Sequence, residues 1–297
     1  MPLWILISLA AAAMQTLRFL LQKRLKGLGL STGGATFSRF IFAVPLAWAV
    51  VGVLVMLGNT IPPMGRADFW GYAFFGGLGQ IVGTYCTVAL FSMRNFAVGI
   101  AFTKTETVQV ALFSAVLLGE AVPILGWLAI VVGMCGVVLL SWPAGAVFRL
   151  NRSMGLGVLA GGAFALAAIG YRGAALTLGD DAYFFRAALT LACVTTLQSI
   201  TMGVLLPIFD PGQVRAVLTK AKATFLVGLT GMLGSLGWFT AFTLQNAAYV
   251  RTLGQVELVF SLLVGAIVLK ERVTMRELLG MAFLGASLIG IVLAAQN

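Results

Sequence analysis

The sequence predicts an all-α membrane protein in which ten transmembrane helices form two inverted five-helix repeats around a central cavity. Three observations lead to this fold class. The 297 residues are 60% hydrophobic and only 9% charged, with a mean hydropathy of +1.04, whereas a soluble domain carries about 25% charged residues. Apolar runs of membrane-spanning length recur along the whole chain. Finally, one helix-length stretch occurs twice, 151 positions apart.

The spans are placed where an apolar run reaches about 20 residues, the length that a helix needs to cross a hydrocarbon core of roughly 30 Å. Glycine, proline and charged residues separate ten such runs, at approximately residues 3–21, 33–57, 69–92, 97–118, 122–142, 154–176, 183–206, 223–244, 247–269 and 275–295. The longest connections are expected near 58–68 and 210–222. Residues 1–148 then form the first five-helix repeat and residues 149–297 the second.

Lysine and arginine fall almost entirely in alternate connections. One set of connections holds Lys23, Arg24, Lys26, Arg94, Arg149, Arg152, Arg215, Lys220, Lys222, Lys270, Arg272 and Arg276, and the other set holds Arg66. Because positive residues are retained on the cytoplasmic side, both termini are expected on the non-cytoplasmic side. Topology also explains the net charge of +10 better than nucleic-acid binding does, since no binding motif accompanies the basic clusters.

The repeat aligns Phe74 to Val122 with the chain 151 residues later, without a gap. Its most distinctive part, Asn95–Glu120, corresponds to Asn246–Glu271. Each half contains five spans, and an odd number makes the halves enter the membrane in opposite directions. The sequence therefore predicts an inverted repeat.

Two matched glutamates, Glu106 and Glu257, are the first candidates for a functional site, because each lies near the middle of a predicted span. An ionisable side chain at this depth costs about 2.5–3.5 kcal/mol, so it is expected to face the bundle interior or a water-filled cavity. There it could bind the polar part of a substrate or exchange a proton. The alternative is an interhelical lock, for example between Glu257 and Arg251.

Two basic residues in the same stretches have no counterpart in the other copy. Lys104 corresponds to Gln255, and Arg251 corresponds to Ile100. This asymmetry suits a polar solute with two unlike ends. Lys104 could meet a carboxylate of the solute, and the alternatives are pairing with Glu106 or snorkelling along its own helix.

The remaining candidates are aromatic or lie near span ends. Three aromatic residues could form an apolar cavity wall, with packing or interface anchoring as the alternative: Tyr85, Trp238 and Phe242. Four arginines are interpreted as reaching lipid headgroups or fixing connecting backbone: Arg18, Arg39, Arg172 and Arg186. Glu120 and Glu271 are interpreted as caps of the helices that follow them.

Catalysis is not expected. The chain contains no histidine, and its three cysteines lie in apolar runs without C-x-x-C spacing, which removes the usual metal ligand and the Ser/His or Cys/His nucleophile arrangements. We therefore expect no catalytic residue, no metal and no cofactor. A membrane-embedded enzyme acting on lipid or small-molecule substrates, and a receptor or scaffold, are the alternative classes.

Both copies of the repeat resemble the drug/metabolite transporter superfamily, in its ten-span EamA-type family. The family's Glu-Pro-Val-like step followed by an LLGE-like end is similar to ETV at 106–108 with LLGE ending at 120, and to ELV at 257–259 with LKE ending at 271. Thr107 and Leu258 stand where the family has proline, so a proline kink cannot be assumed at either place.

The resemblance implies a central cavity formed by spans 1–4 and 6–9, and export of small metabolites or amino acids across a bacterial inner membrane. Within the family the chain is most similar to the YddG-type amino acid exporters, and a multidrug exporter is the alternative. The implied partners are a small-molecule substrate and the lipid bilayer. Protons join them if Glu106 or Glu257 couples transport to a proton gradient, and otherwise the protein is a facilitator. The sequence makes no prediction of oligomeric state.

Overall fold

The structure is a computed structural model that describes residues 2–93, 102–141, 152–179, 182–260 and 274–296. All regular secondary structure in these residues is helical. The helices are α1 (Leu3–Gly27), α2 (Thr32–Ile41), α3 (Ala43–Met56), α4 (Ala67–Leu90), α5 (Glu106–Leu117), α6 (Ile124–Ser141), α7 (Arg152–Thr177), α8 (Tyr183–Phe209), α9 (Gln213–Thr219), α10 (Ala221–Leu244), α11 (Ala247–Gly254) and α12 (Met275–Ala294).

Seven segments of the described residues are long and apolar enough to cross a membrane. They are Leu3–Leu25, Thr32–Met56, Ala67–Leu90, Arg152–Thr177, Tyr183–Phe209, Ala221–Leu244 and Met275–Ala294. Two shorter apolar helices, α5 and α6, accompany them. The prediction of an all-α, multi-pass membrane protein is confirmed, and predicted spans 4 and 9 lie partly outside the described residues.

The second predicted span is not one continuous helix. Helix α2 ends at Ile41 and α3 begins at Ala43. Pro45 follows two residues later and has no N–H to donate to the carbonyl of Ile41, which its ring also crowds. The break at Phe42 is therefore a consequence of Pro45. The connection expected near residues 210–222 likewise contains a short helix, α9, that the sequence analysis missed.

Helices α4 and α7 approach each other at backbone distance through glycines. A Cβ atom on Gly170 would lie 2.6 Å from the Cα atom of Gly76, and one on Gly79 would lie 2.5 Å from the carbonyl oxygen of Ala163. Glycine is the residue that permits such contacts between membrane helices. The pairings also show that α4 and α7 run antiparallel.

Helices α1 and α10 form a second antiparallel pair. A Cβ atom on Gly237 would lie 2.8 Å from the Cβ atom of Ala11, and one on Gly234 would lie 3.4 Å from the Cβ atom of Met14. Both glycines lie within the eighth predicted span. They let α1 lie directly against α10.

The two antiparallel pairs define two ends of the bundle. The Lys23 end contains the C-terminal ends of α1 and α4 and the N-terminal ends of α7 and α10, and there the Lys220 amine donates a hydrogen bond to the carbonyl of Leu28. The Glu120 end is the opposite one, where α5, α7 and α10 end. Arg152 and Lys222, both in the basic set of connections, lie at the Lys23 end.

Candidate functional site

In both copies of the repeated stretch the helix is interrupted just before the glutamate, by the turn that precedes α5 and by the turn that follows α11. The N–H of Thr107 donates to the carbonyl of Lys104 at 3.3 Å, and the N–H of Leu258 donates to the carbonyl of Gln255 at 3.0 Å. These are i to i+3 bonds, and the two bonds are related by the 151-residue offset. The same tightened turn therefore occurs in both copies without a proline.

The four ionisable residues beside these breaks pair across the two copies. The Lys104 ammonium forms an ion pair with Glu257, and the Arg251 guanidinium forms one with Glu106. All four side chains are at most 13% exposed. We call Lys104, Glu106, Arg251 and Glu257 the charged cluster. The lock that the sequence suggested between Glu257 and Arg251 is replaced by this crossed arrangement.

Gln15 and Trp238 connect the charged cluster to α1 and α10. The Gln15 amide donates to Glu257 Oε2 at 2.6 Å, and the Trp238 indole N–H donates to Gln15 Oε1 at 3.1 Å. The Arg251 Cζ atom also lies 5.0 Å from the centre of the Trp238 ring, a distance at which a cation is attracted to an aromatic face. One indole therefore positions members of both ion pairs.

A cavity of about 290 Å³ extends from the charged cluster to the Lys23 end. Its walls combine aromatic and aliphatic side chains with three hydroxyls, and its main lining residues are Thr16, Phe19, Leu20, Thr87, Phe91, Thr103 and Phe164. The exposed residue Lys23 stands at its mouth. A mostly apolar wall with a few convergent polar groups is the usual construction of a small-molecule site, and the volume is at the small end of the range of roughly 300–1,000 Å³ for such sites.

Aromatic rings close the cavity toward the Glu120 end. Tyr171 and Phe239 stack with their ring centres 3.9 Å apart, and Trp238 and Phe242 stack at 6.1 Å. A pocket of about 20 Å³ remains beside these rings, which is room for about one water molecule. In this conformation a solute can therefore reach the charged cluster from the Lys23 end.

Arg172 and Glu120 form a second closure beyond the rings. The Arg172 Nε atom donates to both carboxylate oxygens of Glu120, at 2.8 and 2.9 Å, and its Nη1 atom donates to the carbonyls of Phe242 and Gln245 at 2.6 and 2.8 Å. One guanidinium thus joins α7, the segment after α5, and the end of α10. Of the two roles expected of Arg172, the bonds to the carbonyls of Phe242 and Gln245 fit the fixing of connecting backbone. The ion pair of Glu120 with Arg172 is not the cap expected of that glutamate. Glu271, the second predicted cap, lies outside the described residues.

Arg18 and Arg39 were expected to reach lipid headgroups or to fix connecting backbone. Both side chains are instead buried in the bundle, at 2% and 3% exposure. Arg39 donates to the hydroxyls of Thr84 and Ser235, at 2.8 and 3.3 Å. The expectation was wrong because α1 continues to Gly27, well beyond Arg18, and because Arg39 lies within the span Thr32–Met56, where it meets Thr84 and Ser235. Arg186, in contrast, donates to the backbone carbonyl of Gly179 at 2.6 Å, as expected of a residue that fixes a connection.

The structure brings six of the seven predicted substrate-binding residues together. The four residues of the charged cluster form the inner end of the 290 Å³ cavity, and Trp238 and Phe242 line the 20 Å³ pocket behind it. Tyr85 is not brought to either space. It is 48% exposed on α4.

Two important lining residues, Gln15 and Phe164, were not identified from the sequence. Gln15 is an amide within an apolar span, and this is a signal that could have identified it, because a polar group at that depth needs a partner. Phe164 carries no such signal. It is one of 21 phenylalanines, and only the packing of α7 against α4 places it in the cavity.

Comparison with known proteins assigns the second half of the chain. Residues 182–293 match the sequence model of the EamA-like transporter family. This part of the chain is similar to that family. The EamA-like match includes α8 to α12 and Glu257 of the charged cluster, and the expectation of a drug/metabolite transporter is confirmed.

A solved structure shares the fold of the whole chain, whereas no curated protein sequence matches the chain. One solved structure, described as "Crystal structure of protein", superposes with a TM-score of 0.72 and covers 99% of this chain and 97% of its own. The sequence identity is 16%. At that identity the likeness shows the fold alone.

Proposed function

We propose that the chain exports small amphipathic metabolites, with amino acids as the substrate class, by alternating access. The observation that carries this proposal is the 290 Å³ cavity whose inner end is the crossed charged cluster. An apolar wall can receive a side chain, while two cations and two carboxylates at the inner end can receive the carboxylate and ammonium groups of an amino acid. The proposal includes aromatic amino acids, as in YddG-type exporters, because Phe19, Phe91 and Phe164 line the wall.

The proposed cycle uses the two halves of the chain, residues 1–148 and 149–297, as inverted five-helix units. Helices interrupted at the centre of a membrane recur in transporters, where the interruption places polar groups beside the substrate. Here the interruptions lie at matched positions of the two copies. Exchange of conformation between the halves would close the Lys23 end and open the Glu120 end.

The proposed orientation follows from the charges. Basic connections lie at the Lys23 end, so this end would face the cytoplasm of a bacterial inner membrane. Helix α1 begins at the opposite end and α12 ends there, so with this orientation both termini would lie on the non-cytoplasmic side. The cavity in its present conformation would then be open to the cytoplasm, where an exporter takes up its substrate.

Coupling to protons is a separate part of the proposal. Glu106 and Glu257 are the carboxylates at the inner end of the cavity, and a proton-coupled cycle would use one of them. Replacing both with glutamine should abolish the pH dependence of transport in proteoliposomes. If pH-dependent transport persists in that variant, neither glutamate carries the proton.

Counterflow in proteoliposomes tests the proposed function. Liposomes containing the protein are loaded with unlabelled solute and supplied outside with trace labelled phenylalanine, leucine, glutamate or a drug cation such as tetraphenylphosphonium. We expect transient accumulation of an amino acid, unchanged chemically when recovered, and none in protein-free liposomes. A response to the drug cation alone contradicts the substrate class, a chemically altered product supports an enzyme, and no flux with any solute contradicts transport.

A further inference from the structure

We infer that Arg39 and Arg251 form an anion subsite that binds the carboxylate of the solute, so that organic carboxylates with an apolar body are substrates with or without an ammonium group. This inference rests on the proposed transport function and specifies its substrate class. It is carried by an excess of buried positive charge around the cavity, by the position of Arg39 beside Arg251, and by the connection of their pocket to the cavity.

The charges around the cavity do not balance. Within the described residues, Lys104 and Arg251 pair with the two carboxylates of the charged cluster, and no carboxylate of those residues lies within 4.0 Å of Arg18 or Arg39. The hydrogen-bond partners of Arg39 are the hydroxyls of Thr84 and Ser235. Two guanidinium groups are thus buried with neutral partners, although a buried charge ordinarily requires an opposite charge.

Arg18 and Arg39 lie side by side. Their side chains both cross Gly231, where an added Cβ atom would lie 3.1 Å from Arg39 Cγ and 3.3 Å from Arg18 Cδ. Two adjacent buried cations without a carboxylate partner among the described residues make this place favourable for an anion, which would offset their mutual repulsion.

Arg39 and Arg251 face the same small space, the 20 Å³ pocket that is also lined by Gln80 and Tyr171. The fork of N–H groups on a guanidinium matches the two oxygens of a carboxylate. An ammonium group would meet Arg39, which has no carboxylate within 4.0 Å among the described residues, and Arg251, whose charge is already paired with Glu106. The pocket therefore discriminates by charge sign, in favour of the anion.

The pocket and the larger cavity are adjacent, because Gln15, Phe164 and Arg251 line both. The pocket is too small to hold a solute while Trp238 and Phe242 are stacked beside it. Separation of these rings would join the two spaces, and a carboxylate received by Arg251 in the cavity would then reach Arg39. The apolar part of the solute would occupy the aromatic wall vacated by this movement.

Three solutes that share an apolar phenyl body but carry different charged groups distinguish the contribution of the carboxylate to binding from that of the ammonium group. Phenylalanine carries both groups, 3-phenylpropionate carries only the carboxylate, and phenethylamine carries only the ammonium. The purified protein in detergent is heated with each solute, since a ligand that binds the folded state raises the Tm. We expect phenylalanine and 3-phenylpropionate to raise the Tm, and phenethylamine to leave it unchanged.

Arg39 variants assign the effect to the pocket. Arg39→Gln should lower the affinity for 3-phenylpropionate by at least about tenfold, because a hydrogen bond to a charged group is lost. Arg39→Lys should retain part of that affinity. Arg186→Gln is the matched control, because Arg186 begins the corresponding span of the other half and contacts the backbone. If the Arg39→Gln protein does not fold, the Tm measurements of the unaltered protein with the three solutes still test the anion subsite. The anion subsite is overturned if phenethylamine raises the Tm as much as 3-phenylpropionate does, or if 3-phenylpropionate has no effect. It is also overturned if a folded Arg39→Gln protein binds 3-phenylpropionate with full affinity.

Flux under a membrane potential separates this inference from the proposed function. Liposomes containing the protein receive a potassium gradient and valinomycin, so that the interior is positive by about 60 mV, which favours accumulation of a monoanion by about tenfold. We expect accumulation of 3-phenylpropionate and no such effect on zwitterionic phenylalanine. If 3-phenylpropionate binds through Arg39 but no solute crosses, the transport proposal fails and the subsite stands. If phenylalanine crosses while 3-phenylpropionate neither binds nor crosses, the subsite fails and transport stands.

Discussion

The guanidinium of Arg251 pairs with the carboxylate of Glu106, which ties the interrupted helix of one repeat copy to that of the other. Lys104 and Glu257 form the reciprocal pair. Each copy therefore contributes one cation and one carboxylate. Any movement that separates the copies must break these pairs, and a zwitterionic solute could replace them with its own charges. The crossed pairs link binding of the solute to movement of the halves.

Removing one member of a crossed pair should cost more stability than removing both. Arg251→Gln or Glu106→Gln alone leaves a buried charge without its partner, a change that costs about 3–5 kcal/mol in well-buried pairs. We expect each single variant to lower the Tm by several degrees and the double variant to recover part of the loss. Thermal unfolding of the four proteins in detergent gives the coupling energy. Strictly additive losses would show that the two residues do not interact.

Loss of Arg172 should open the Glu120 end. Arg172→Gln removes the ion pair with Glu120 and the bonds to the two carbonyls at the end of α10, so the stacked aromatic rings that close the cavity should be exposed more often. To measure that exposure, the three native cysteines are replaced by serine and Phe242 by cysteine. The rate at which a membrane-impermeant thiol reagent labels this cysteine then reports how often the rings are exposed. We expect at least about tenfold faster labelling.

The matched control for Arg172 is Arg66→Gln at the same end. Arg66 and Asp68 form an exposed ion pair at 3.2 Å, and such pairs contribute about 0–1 kcal/mol. Labelling should keep its original rate in this variant. An equal acceleration by both variants would mean that Arg172 has no specific role in closure.

Gly170→Ala should destabilise the contact between α4 and α7. Its Cβ atom would lie 2.6 Å from both the Gly76 Cα atom and the Tyr72 carbonyl oxygen, and these backbone atoms cannot move without separating the helices. Gly155→Ala on the same helix meets nothing within 4 Å and is the matched control. We expect a clear loss of Tm for Gly170→Ala and none for Gly155→Ala. Equal Tm values would contradict the close packing of α4 and α7.

Phe164 and Tyr85 should differ in their effect on transport. Phe164 lines the cavity, and Tyr85 is 48% exposed on the outer side of α4. Loss of an aromatic contact costs about 1 kcal/mol, so Phe164→Ala should raise the KM for phenylalanine by about fivefold or more. Tyr85→Ala should leave KM unchanged. Both KM values are measured from initial uptake rates in proteoliposomes. A raised KM for Tyr85→Ala with an unchanged KM for Phe164→Ala would contradict the assignment of this cavity as the substrate site.

The sequence was sufficient for the helical membrane class because hydropathy and helix length determine it. It also identified the glutamates, since Glu106 and Glu257 are matched ionisable residues within apolar spans. It did not predict which cation each glutamate meets. That pairing depends on how the halves pack, and either cation could in principle reach either carboxylate.

Two further differences have simple physical causes. Tyr85 was placed in the cavity because of its aromatic ring, but it lies two residues after Gly83, about 200° around the helix from the face that packs on α7. Arg18 and Arg39 were placed near the membrane surface because the span ends were estimated from hydropathy alone. Helix α1 continues to Gly27, past the end estimated at residue 21, and Arg39 bonds to Thr84 and Ser235 within the bundle, so both arginines lie in the interior.

The most direct test of the charged cluster as the substrate site is counterflow of labelled phenylalanine by the variant Lys104→Met/Glu257→Gln. This variant removes one whole ion pair, so no buried charge of that pair is left unpaired. Its Tm is measured first and should lie within a few degrees of that of the unaltered protein. We predict that the folded double variant loses counterflow by at least about tenfold, and counterflow at the unaltered rate would contradict the assignment of the charged cluster as the substrate site.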